Sequence, residues 1–381
     1  MRVYLDNAAT TKIAPEVLEA MLPFMREHYG NPSSIHAQGR RAKAAIERAR
    51  KIVAQHLNAS IGEIFFTSGG TESNNMAIKC AIRDLGVTRI ISSPIEHHCI
   101  LHTLEDLPQN IEVEMVKILE DGKVDYEDLE NRLKSGTDKT LVSLMYANNE
   151  IGVLLDLKRV SDLCAEHSAY FHTDSVQTMG HFPMDVKSFP VHFMSGSAHK
   201  FHGPKGVGFI YINQDSQIKS FLQGGAQERN MRAGTENIYG IIGLAKAFEM
   251  AIEEMDQRRT HIQEIRSNLA KGLLENFENI RFNTDWEGES LYTVLNVSFP
   301  PSEHADLLLL NLDIAGISAS GGSACSSGSE KGSHVIEALQ GKTDRKNIRF
   351  SFSHYNTAEE IDFLLEALKK IVTPKNSEVT Q

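Results

Sequence analysis

Short apolar runs alternate with helix-like stretches through the middle of this sequence. The run Ile64-Phe65-Phe66-Thr67 precedes a helical stretch that extends through Ile82, and Arg89-Ile90-Ile91-Ser92 comes next. Neighbouring parallel strands need a long crossover connection, usually a helix, so this alternation predicts an α/β domain with a mainly parallel sheet. Further strand-like runs cover residues 140–145, 169–173, 192–195 and 207–212.

Helical patterns flank the alternating part on both sides. Apolar residues at helical spacing predict helices over residues 15–29 and 37–57, and a long helical region over residues 239–277. We expect this long region to connect a large domain with a small one. The remaining patterns are strand-like runs at 294–298 and 348–351, and a last helix that begins at a capping box of Thr357 and Glu360.

Composition excludes several classes of protein. The net charge is −11 and no block of Lys and Arg occurs, so we expect no nucleic-acid partner. No run of about 18 apolar residues is present, so we expect no membrane span. The four cysteines are far apart and form no C-x-x-C pair, which indicates a reducing, cytoplasmic setting rather than a disulfide framework. None of the 16 histidines lies in a metal-binding frame, so we expect no metal site.

The segment Thr67-Ser68-Gly69-Gly70-Thr71-Glu72-Ser73 lies between a predicted strand and a predicted helix. Glycines let the backbone approach an anion closely, and the start of a helix offers unpaired N–H groups. A phosphate would fit here, with the Thr71 hydroxyl as a further donor. The alternative is an ordinary strand-to-helix turn. It is not a Walker loop, because no Gly-Lys-Ser/Thr follows.

Two charged residues follow strand-like runs. Asp174, in Phe171-His172-Thr173-Asp174, could keep a pyridinium nitrogen protonated, or it could simply cap a helix. Lys200 closes the run before Phe201-His202-Gly203-Pro204-Lys205-Gly206, where nearby cations and partial burial could lower its pKa for imine formation. Lys205 is the rival candidate, and a solvated turn lysine is the alternative reading of either residue.

A Gly- and Ser-rich stretch covers residues 318–333 and carries Cys325 in its middle. Such a composition favours a flexible, polar loop, whereas a free cysteine that serves packing is usually buried. A mobile nucleophile explains Cys325 better. Cys80 and Cys164 lie at apolar helix positions, whereas Cys99 follows Glu96-His97-His98. We expect all three in the core.

In order and spacing, these patterns resemble the cysteine desulfurases of the NifS/IscS type, within the class-V aminotransferases and the fold-type-I pyridoxal-phosphate (PLP) enzymes. The resemblance extends from Tyr4-Leu5-Asp6-Asn7-Ala8-Ala9-Thr10-Thr11 to Ile348-Arg349-Phe350-Ser351. It implies an α/β fold with a mainly parallel seven-stranded sheet in a large PLP-binding domain, residues 13–255. It also implies a small α+β domain, formed by residues 1–12 and 256–381, with a mobile cysteine loop at 318–333.

The resemblance assigns cofactor roles to individual residues. It implies that Lys200 is the Schiff-base lysine, Asp174 the partner of the pyridinium nitrogen and Gln177 the partner of the ring hydroxyl. His97 resembles the catalytic imidazole that stacks on the ring. Thr235 resembles the residue that reaches the phosphate of a neighbouring subunit, which implies a homodimer. The implied phosphate cup consists of Gly70, Thr71, Ser197 and His199.

The resemblance also implies the substrate site and the reaction. Asn149, beside the cofactor, and Arg349 would hold the substrate carboxylate, while Lys200 moves the α-proton of L-cysteine. Cys325 would take the sulfur as a persulfide, and L-alanine would leave. An acceptor protein, such as an iron–sulfur scaffold or a carrier for tRNA thiolation, would then receive the sulfur. Selenocysteine lyase, class-V aminotransferase and a non-catalytic scaffold for sulfur trafficking remain alternatives.

Overall fold

The computed structural model of the protein describes residues 1–136, 138–302, 305, 307–322, 332–341 and 343–372. Cys325 and most of the loop predicted at residues 318–333 lie outside the described residues. Among the helices of the described ranges, none is both long enough and apolar enough to cross a membrane.

Strands and helices alternate from residue 64 to residue 174, and further helices and strands lie on either side of this part. The strands are β1 (Val3–Tyr4), β2 (Ile64–Thr67), β3 (Arg89–Ser92), β4 (Glu112–Met115), β5 (Thr140–Ser143), β6 (Tyr170–Asp174), β7 (Phe193–Ser197), β8 (Gly208–Ile212), β9 (Arg281–Phe282), β10 (Val294–Phe299), β11 (Ile317–Ser318) and β12 (Lys346–Ser351). The helices are α1 (Pro15–Arg26), α2 (Ala37–His56), α3 (Gly70–Leu85), α4 (His98–Glu105), α5 (Tyr126–Ser135), α6 (Leu157–Glu166), α7 (Ile238–Glu253), α8 (Met255–Asn276), α9 (Leu308–Ile314), α10 (His334–Gln340) and α11 (Ala358–Val372).

A seven-stranded sheet forms the centre of the larger part of the molecule. Its order is β2-β8-β7-β6-β5-β3-β4. β8 runs antiparallel to both of its neighbours, and the other pairings are parallel. The prediction of an α/β fold with a mainly parallel seven-stranded sheet is confirmed.

The sheet is buried on both faces. Phe66 and Ile91 belong to one cluster of buried hydrophobic residues, whereas their neighbours Phe65 and Ile90 belong to another. Because successive side chains of a strand point to opposite faces, the two clusters lie on the two faces of the sheet. This double burial explains why the strands appear in the sequence as continuous apolar runs rather than as alternating patterns.

A smaller antiparallel sheet lies within a separate hydrophobic cluster. β10 pairs with β12 on one side and with β9 on the other. Leu269 of α8 and Leu364 of α11 are fully buried in the same cluster. β1 pairs with β11, so the first residues of the chain join this part. The domain limits at residues 12 and 255 stay a prediction.

The helical region predicted over residues 239–277 is interrupted at one residue. Glu254 (φ −102°, ψ 8°) separates α7 from α8. Leu244 of α7 packs beside the large sheet, whereas Leu269 of α8 packs beside the small one. The interruption at Glu254 thus separates a helix that packs in one hydrophobic core from a helix that packs in the other.

Two other elements test the sequence interpretation. The capping box of the last helix is confirmed, since the N–H of Thr357 donates to Oε2 of Glu360 at 3.2 Å and the N–H of Glu360 donates to Oγ1 of Thr357 at 3.4 Å. Strand β4 was missed, because it is an edge strand with two glutamates among its four residues. Its Glu114 pairs with Arg89 and Arg132.

A buried ion pair holds a left-handed turn against β2. The guanidinium of Arg50, which is 2% exposed, donates to Oε2 and Oε1 of Glu228 at 2.7 and 2.9 Å. Oε2 of Glu228 also accepts the N–H of Phe66 on β2 at 2.8 Å. Glu228, Arg229 and Asn230 have positive φ angles of 44°, 56° and 65°. Residues with a Cβ disfavour that conformation, so the ion pair offsets local strain.

We expect Glu228→Ala to lower the free energy of unfolding by about 3–5 kcal/mol, because it leaves the Arg50 guanidinium buried without its partner. Urea unfolding followed by circular dichroism measures this loss. Lys158→Ala is the control, since Lys158 pairs with Asp162 at the surface, where such pairs contribute at most about 1 kcal/mol. Equal losses in the two variants would contradict the account.

Candidate active site

The residues singled out in the sequence lie near the carboxyl ends of neighbouring strands. Asp174 ends β6 and Ser197 ends β7. Gly70 starts α3 shortly after β2, and His97 precedes α4 in the connection that follows β3. The carboxyl ends of parallel strands lie at one edge of a sheet, and α/β proteins bind ligands at that edge.

The turn between β2 and α3 brings together donors that suit an anion. Gly69 has a φ of 152°, a conformation that favours glycine. A Cβ on Gly70 would lie 2.5 Å from Cγ2 of Val176 and 3.9 Å from Cβ of Ser197, so the backbone packs closely against β7 and the turn after β6. The first N–H groups of α3, together with the hydroxyls of Thr71 and Ser197, form a donor set for phosphate.

A chain of buried hydrogen bonds fixes the Asp174 carboxylate. Oδ2 of Asp174 accepts from Nδ2 of Asn74 at 2.7 Å, and Oδ1 accepts the N–H of Val176 at 2.9 Å. Oδ1 of Asn74 must then accept from Nε2 of His172 at 3.2 Å, and Nδ1 of His172 accepts from the Ser143 hydroxyl at 2.9 Å. Burial lowers the pKa of His172 to about 3, so its ring is neutral, as this chain of bonds requires. No helix begins at Asp174, so the helix-cap reading is wrong.

Lys200 lies in a short 3-10 turn directly after β7, against the N-terminal segment of the chain. Its Nζ donates to the carbonyl oxygens of Ala8 at 2.5 Å and Ala9 at 2.9 Å. The amide of Gln177 donates to the same Ala8 oxygen at 3.0 Å. Lys205, the rival candidate, is exposed. The structure therefore brings Lys200, and not Lys205, next to Gln177.

The imidazoles of His97 and His199 also belong to this site. Nδ1 of His97 accepts the N–H of Cys99 at 3.1 Å. Burial lowers the pKa of His97; the charge of Asp174 opposes this shift and the charge of Lys200 adds to it. Burial, with the charge of Lys200 nearby, lowers the pKa of His199 to about 3. The ring of His199 is therefore neutral at pH 7.

Arg349 contacts the backbone of Asn149, the residue predicted to share the substrate carboxylate with it. Arg349, on β12, is 1% exposed. Its Nη1 donates to the backbone oxygen of Asn149 at 3.0 Å, and its Nη2 pairs with Oδ1 of Asp6 at 2.8 Å. Within the described residues Nε of Arg349 has no hydrogen-bond partner. Arg349 thus joins the small sheet, the N-terminal segment and the connection after β5 at one point.

Two predicted site residues are not brought into this group. Thr235 is exposed, three residues after Arg232, whose guanidinium pairs with Glu72 of α3 at 2.8 and 3.1 Å. Cys325 lies outside the described residues. The role of Thr235 toward a neighbouring subunit and the role of Cys325 as nucleophile stay predictions.

Sequence reasoning missed the residues that support Asp174. His172 carried a signal, because a polar residue inside an apolar strand needs a partner; Asn74 carried none.

The cysteine prediction was partly wrong. Cys80 and Cys164 are buried, but Cys99 is half-buried, and its Sγ accepts from Nδ2 of Asn74 at 3.3 Å. Burial, with the Asp174 charge, raises the pKa of the Cys99 thiol to about 12.

The sheet order, the second smaller sheet and the lysine at the carboxyl edge define the fold of the type-I PLP-dependent transferases. The model of the Aminotransferase class-V family matches residues 3–364, and the chain belongs to this family. Its members are PLP enzymes, and the family predicted from the sequence is confirmed.

Several relatives align with nearly the whole chain. The cysteine desulfurase IscS of Dictyoglomus turgidum is 44% identical over 97% of this chain and 94% of its own length. That of Methanosarcina thermophila is 44% identical over 97% of this chain and 92% of its own length. Among solved structures, a NifS-like protein superposes with a TM-score of 0.90 at 38% identity and covers 98% of this chain and 99% of its own. The protein SspA in complex with cysteine superposes with a TM-score of 0.81 at 30% identity, over 94% of this chain and 100% of its own.

Buried neutral histidines behind Lys200 give the fold a defined pH dependence. His202 is 3% exposed, and its Nδ1 donates to the carbonyl of Lys12 at 2.9 Å. Burial lowers its pKa to about 4. Between about pH 6.5 and 4 the unfolded chain binds a proton at this residue that the folded chain does not. Stability is therefore complete above pH 6.5 and decreases as the pH falls toward 4.

We expect His202→Asn to make the fall in unfolding free energy between pH 6.5 and 4 shallower, by at most about 1.4 kcal/mol per pH unit. Asn keeps a donor near Nδ1 and tolerates the φ of 68° at this position. Urea unfolding at a series of pH values measures the slope. His102→Asn, at an exposed position, is the control. An unchanged slope in His202→Asn would contradict the account.

Proposed function

We propose that this protein is a PLP-dependent cysteine desulfurase, which converts L-cysteine to L-alanine and keeps the sulfur as a persulfide on Cys325. The observation that carries the proposal is that Asp174 at the end of β6, Lys200 in the turn directly after β7 and His97 before α4 lie at one edge of the sheet. Relatives named cysteine desulfurase that are 44% identical over 97% of the chain support the choice of substrate.

The described residues fit PLP. Asp174 supplies a buried, oriented carboxylate for a pyridine nitrogen, and the start of α3 with Ser197 supplies donors for a phosphate. The close approach of Gly70 to Val176 leaves this turn no room for a larger side chain. When bound, PLP would draw electrons from the α-carbon of an amino acid attached to it and make the α-proton acidic. Lys200 would hold the cofactor, with His97, His199, Gln177, Thr71 and Asn149 around it.

Lys200 would move the α-proton of the substrate. Its Nζ donates hydrogen bonds to the carbonyls of Ala8 and Ala9. The N-terminal segment therefore holds the amine close to the proposed cofactor site. A general base in such a position contributes roughly two to four powers of ten in rate. Asn149 and Arg349 would hold the substrate carboxylate, since a guanidinium fork matches two oxygens.

Cys325 would remove the sulfur. Its thiolate attacks the substrate sulfur, an S–S bond forms and the C–S bond breaks. The electron pair of the C–S bond stays with the substrate carbon, which takes up a proton, so alanine leaves and a persulfide remains on the protein. The burial that raises the pKa of Cys80, Cys99 and Cys164 keeps those thiols protonated and unsuited to this attack.

The wider setting is also part of the proposal. The protein would act as a cytoplasmic homodimer in which the exposed Thr235 reaches the cofactor phosphate of the partner subunit. An acceptor protein, such as an iron–sulfur scaffold, would take the sulfur from Cys325. Well-spaced free cysteines suit a reducing compartment.

We expect Lys200→Ala to abolish desulfurase activity and the covalent attachment of PLP. The wild-type protein should be yellow, and borohydride reduction followed by peptide mass spectrometry should place the cofactor on Lys200. Lys205→Ala is the matched control, since it removes an exposed lysine five residues away and should keep both properties. Attachment of the cofactor in Lys200→Ala, or its loss in Lys205→Ala, would overturn the assignment.

We expect Cys325→Ser to lower sulfide release from L-cysteine with dithiothreitol at least about a hundredfold, because serine cannot accept sulfur. Its cofactor absorbance should match that of the wild type. Cys164→Ala, which removes a buried thiol, should keep the activity. Full sulfide release by Cys325→Ser would contradict the persulfide mechanism.

A further inference from the structure

Two neighbouring connections carry the proposed stacking imidazole and a proposed substrate side chain. The β3–α4 connection, residues 93–97, ends at His97, and the β5–α6 connection, residues 144–156, contains Asn149. Because β3 and β5 pair in the large sheet, the two connections start side by side. His97 is the N-cap of α4, and its Nδ1 accepts the N–H of Cys99 at 3.1 Å. The direction of the His97 ring therefore depends on how the β3–α4 connection holds the start of α4.

The side chain of Glu96, one residue before His97, joins the two connections. Glu96 is 1% exposed. Its Oε1 accepts the N–H of Met145 at 3.0 Å and the hydroxyl of Ser93 at 2.8 Å. One oxygen atom thus binds a donor of the β5–α6 connection and a donor at the beginning of its own connection. This double contact fixes the residue that directly precedes the proposed stacking imidazole.

Asn148 places Asn149 against the same β3–α4 connection. Nδ2 of Asn148 donates to the carbonyl of Ile95 at 2.8 Å. Its Oδ1 accepts the N–H groups of Glu150 and Ile151 at 2.8 and 3.0 Å, so the backbone around Asn149 forms a tight turn. The imidazole of His97 and the side chain of Asn149 are therefore carried by two connections that are hydrogen-bonded to each other.

The backbone around Glu96 has further support that does not involve its side chain. Nε2 of His334 donates to the carbonyl of Glu96 at 2.9 Å. Ile95 belongs to a buried hydrophobic cluster with Ile151 of the β5–α6 connection and Val335 of α10. Because these contacts remain when only the Glu96 side chain is changed, we expect variants at this position to fold.

The Glu96 carboxyl is mostly neutral at pH 7. Burial raises its pKa to about 8; the hydrogen bonds from Met145 and Ser93 oppose this shift and the charge of Asp174 adds to it. Within the described residues Oε2 of Glu96 has no hydrogen-bond partner, so an ionised carboxylate would have one oxygen without a donor. Glutamine has the same shape, no charge and the same Oε1 acceptor. Glu96→Gln is therefore the conservative variant at this position.

We propose that Glu96 is a positioning residue that fixes the imidazole of His97 relative to the β5–α6 connection. Without the Oε1 acceptor, the hydrogen bonds to Met145 and Ser93 are lost, and the start of α4 can shift away from the β5–α6 connection. The His97 ring shifts with it, because His97 caps that helix. This inference rests on the proposed function, in which His97 stacks on the cofactor.

A competing explanation is that Glu96 only stabilises the fold. Glu63 provides the matched control, since it is a carboxyl that is 7% exposed and lies at the start of β2, at the opposite end of that strand from Gly70. Its Oε1 accepts the N–H of Gln214 at 3.1 Å and the hydroxyl of Tyr211 at 3.3 Å. Glu96→Met and Glu63→Met each keep the length of the side chain and remove the acceptor.

The experiment measures kcat for sulfide release from L-cysteine by the full PLP-loaded chain. We expect Glu96→Met to lower kcat about tenfold or more, since small misplacements of reacting groups have effects of that order. In a His97→Ala background the same change should cost less than about twofold, because residues that act through one another are not additive. Glu96→Gln and Glu63→Met should keep kcat. Equal losses from Glu96→Met in both backgrounds would overturn the proposal.

Two further readouts do not depend on activity. Amide hydrogen exchange in the peptide over residues 97–105 should become faster in Glu96→Met and stay unchanged in Glu96→Gln and Glu63→Met. The visible circular dichroism of bound PLP should change in Glu96→Met toward that of His97→Ala. If both readouts match the wild type in Glu96→Met, Glu96 does not position His97. A wild-type protein that releases no sulfide from L-cysteine would instead overturn the proposed function, and the exchange measurement would still decide the role of Glu96.

Discussion

Parallel pairing of β5, β6 and β7 is the constraint on which the site depends. The register sets Ser143 opposite His172, and Asp174 opposite Ser195. This register aligns the carboxyl ends of β5, β6 and β7 at one edge of the sheet, so that residues far apart in sequence lie close together there. The buried hydrogen bonds from Ser143 through His172 and Asn74 to Asp174 run beneath this edge. A slip of one residue would turn these side chains to the other face of the sheet.

The N-terminal segment couples the two parts of the molecule at this edge. Ala8 and Ala9 hold the amine of Lys200 from the large sheet, while Asp6 pairs with Arg349 from the small one. A short segment thereby contacts both the residue that would carry the cofactor and the residue that would hold the substrate. If one sheet moved relative to the other, the N-terminal segment would transmit that movement to both Lys200 and Arg349.

The sequence was most informative where chemistry requires a particular residue beside a particular backbone feature. The apolar runs predicted the strands because both faces of the sheet are buried, and Gly69-Gly70 marked the turn because the backbone there passes too close to Val176 for a side chain. Edge strand β4 was hidden by its charged residues. Asn74 gave no local signal, because its partner Asp174 lies 100 residues away. Periodicity cannot reveal such long-range contacts; only the folded chain shows them.

The central claim is that sulfur leaves L-cysteine for the thiol of Cys325 at a site organised by Lys200. Its most direct test is one turnover of the PLP-loaded protein with L-cysteine, followed by digestion and mass analysis of the peptides that contain each cysteine. The account predicts one added sulfur atom on Cys325 and an equal amount of alanine, with Cys80, Cys99 and Cys164 unmodified. Alanine without sulfur on Cys325, or sulfur on Cys99 beside Asn74, would contradict it.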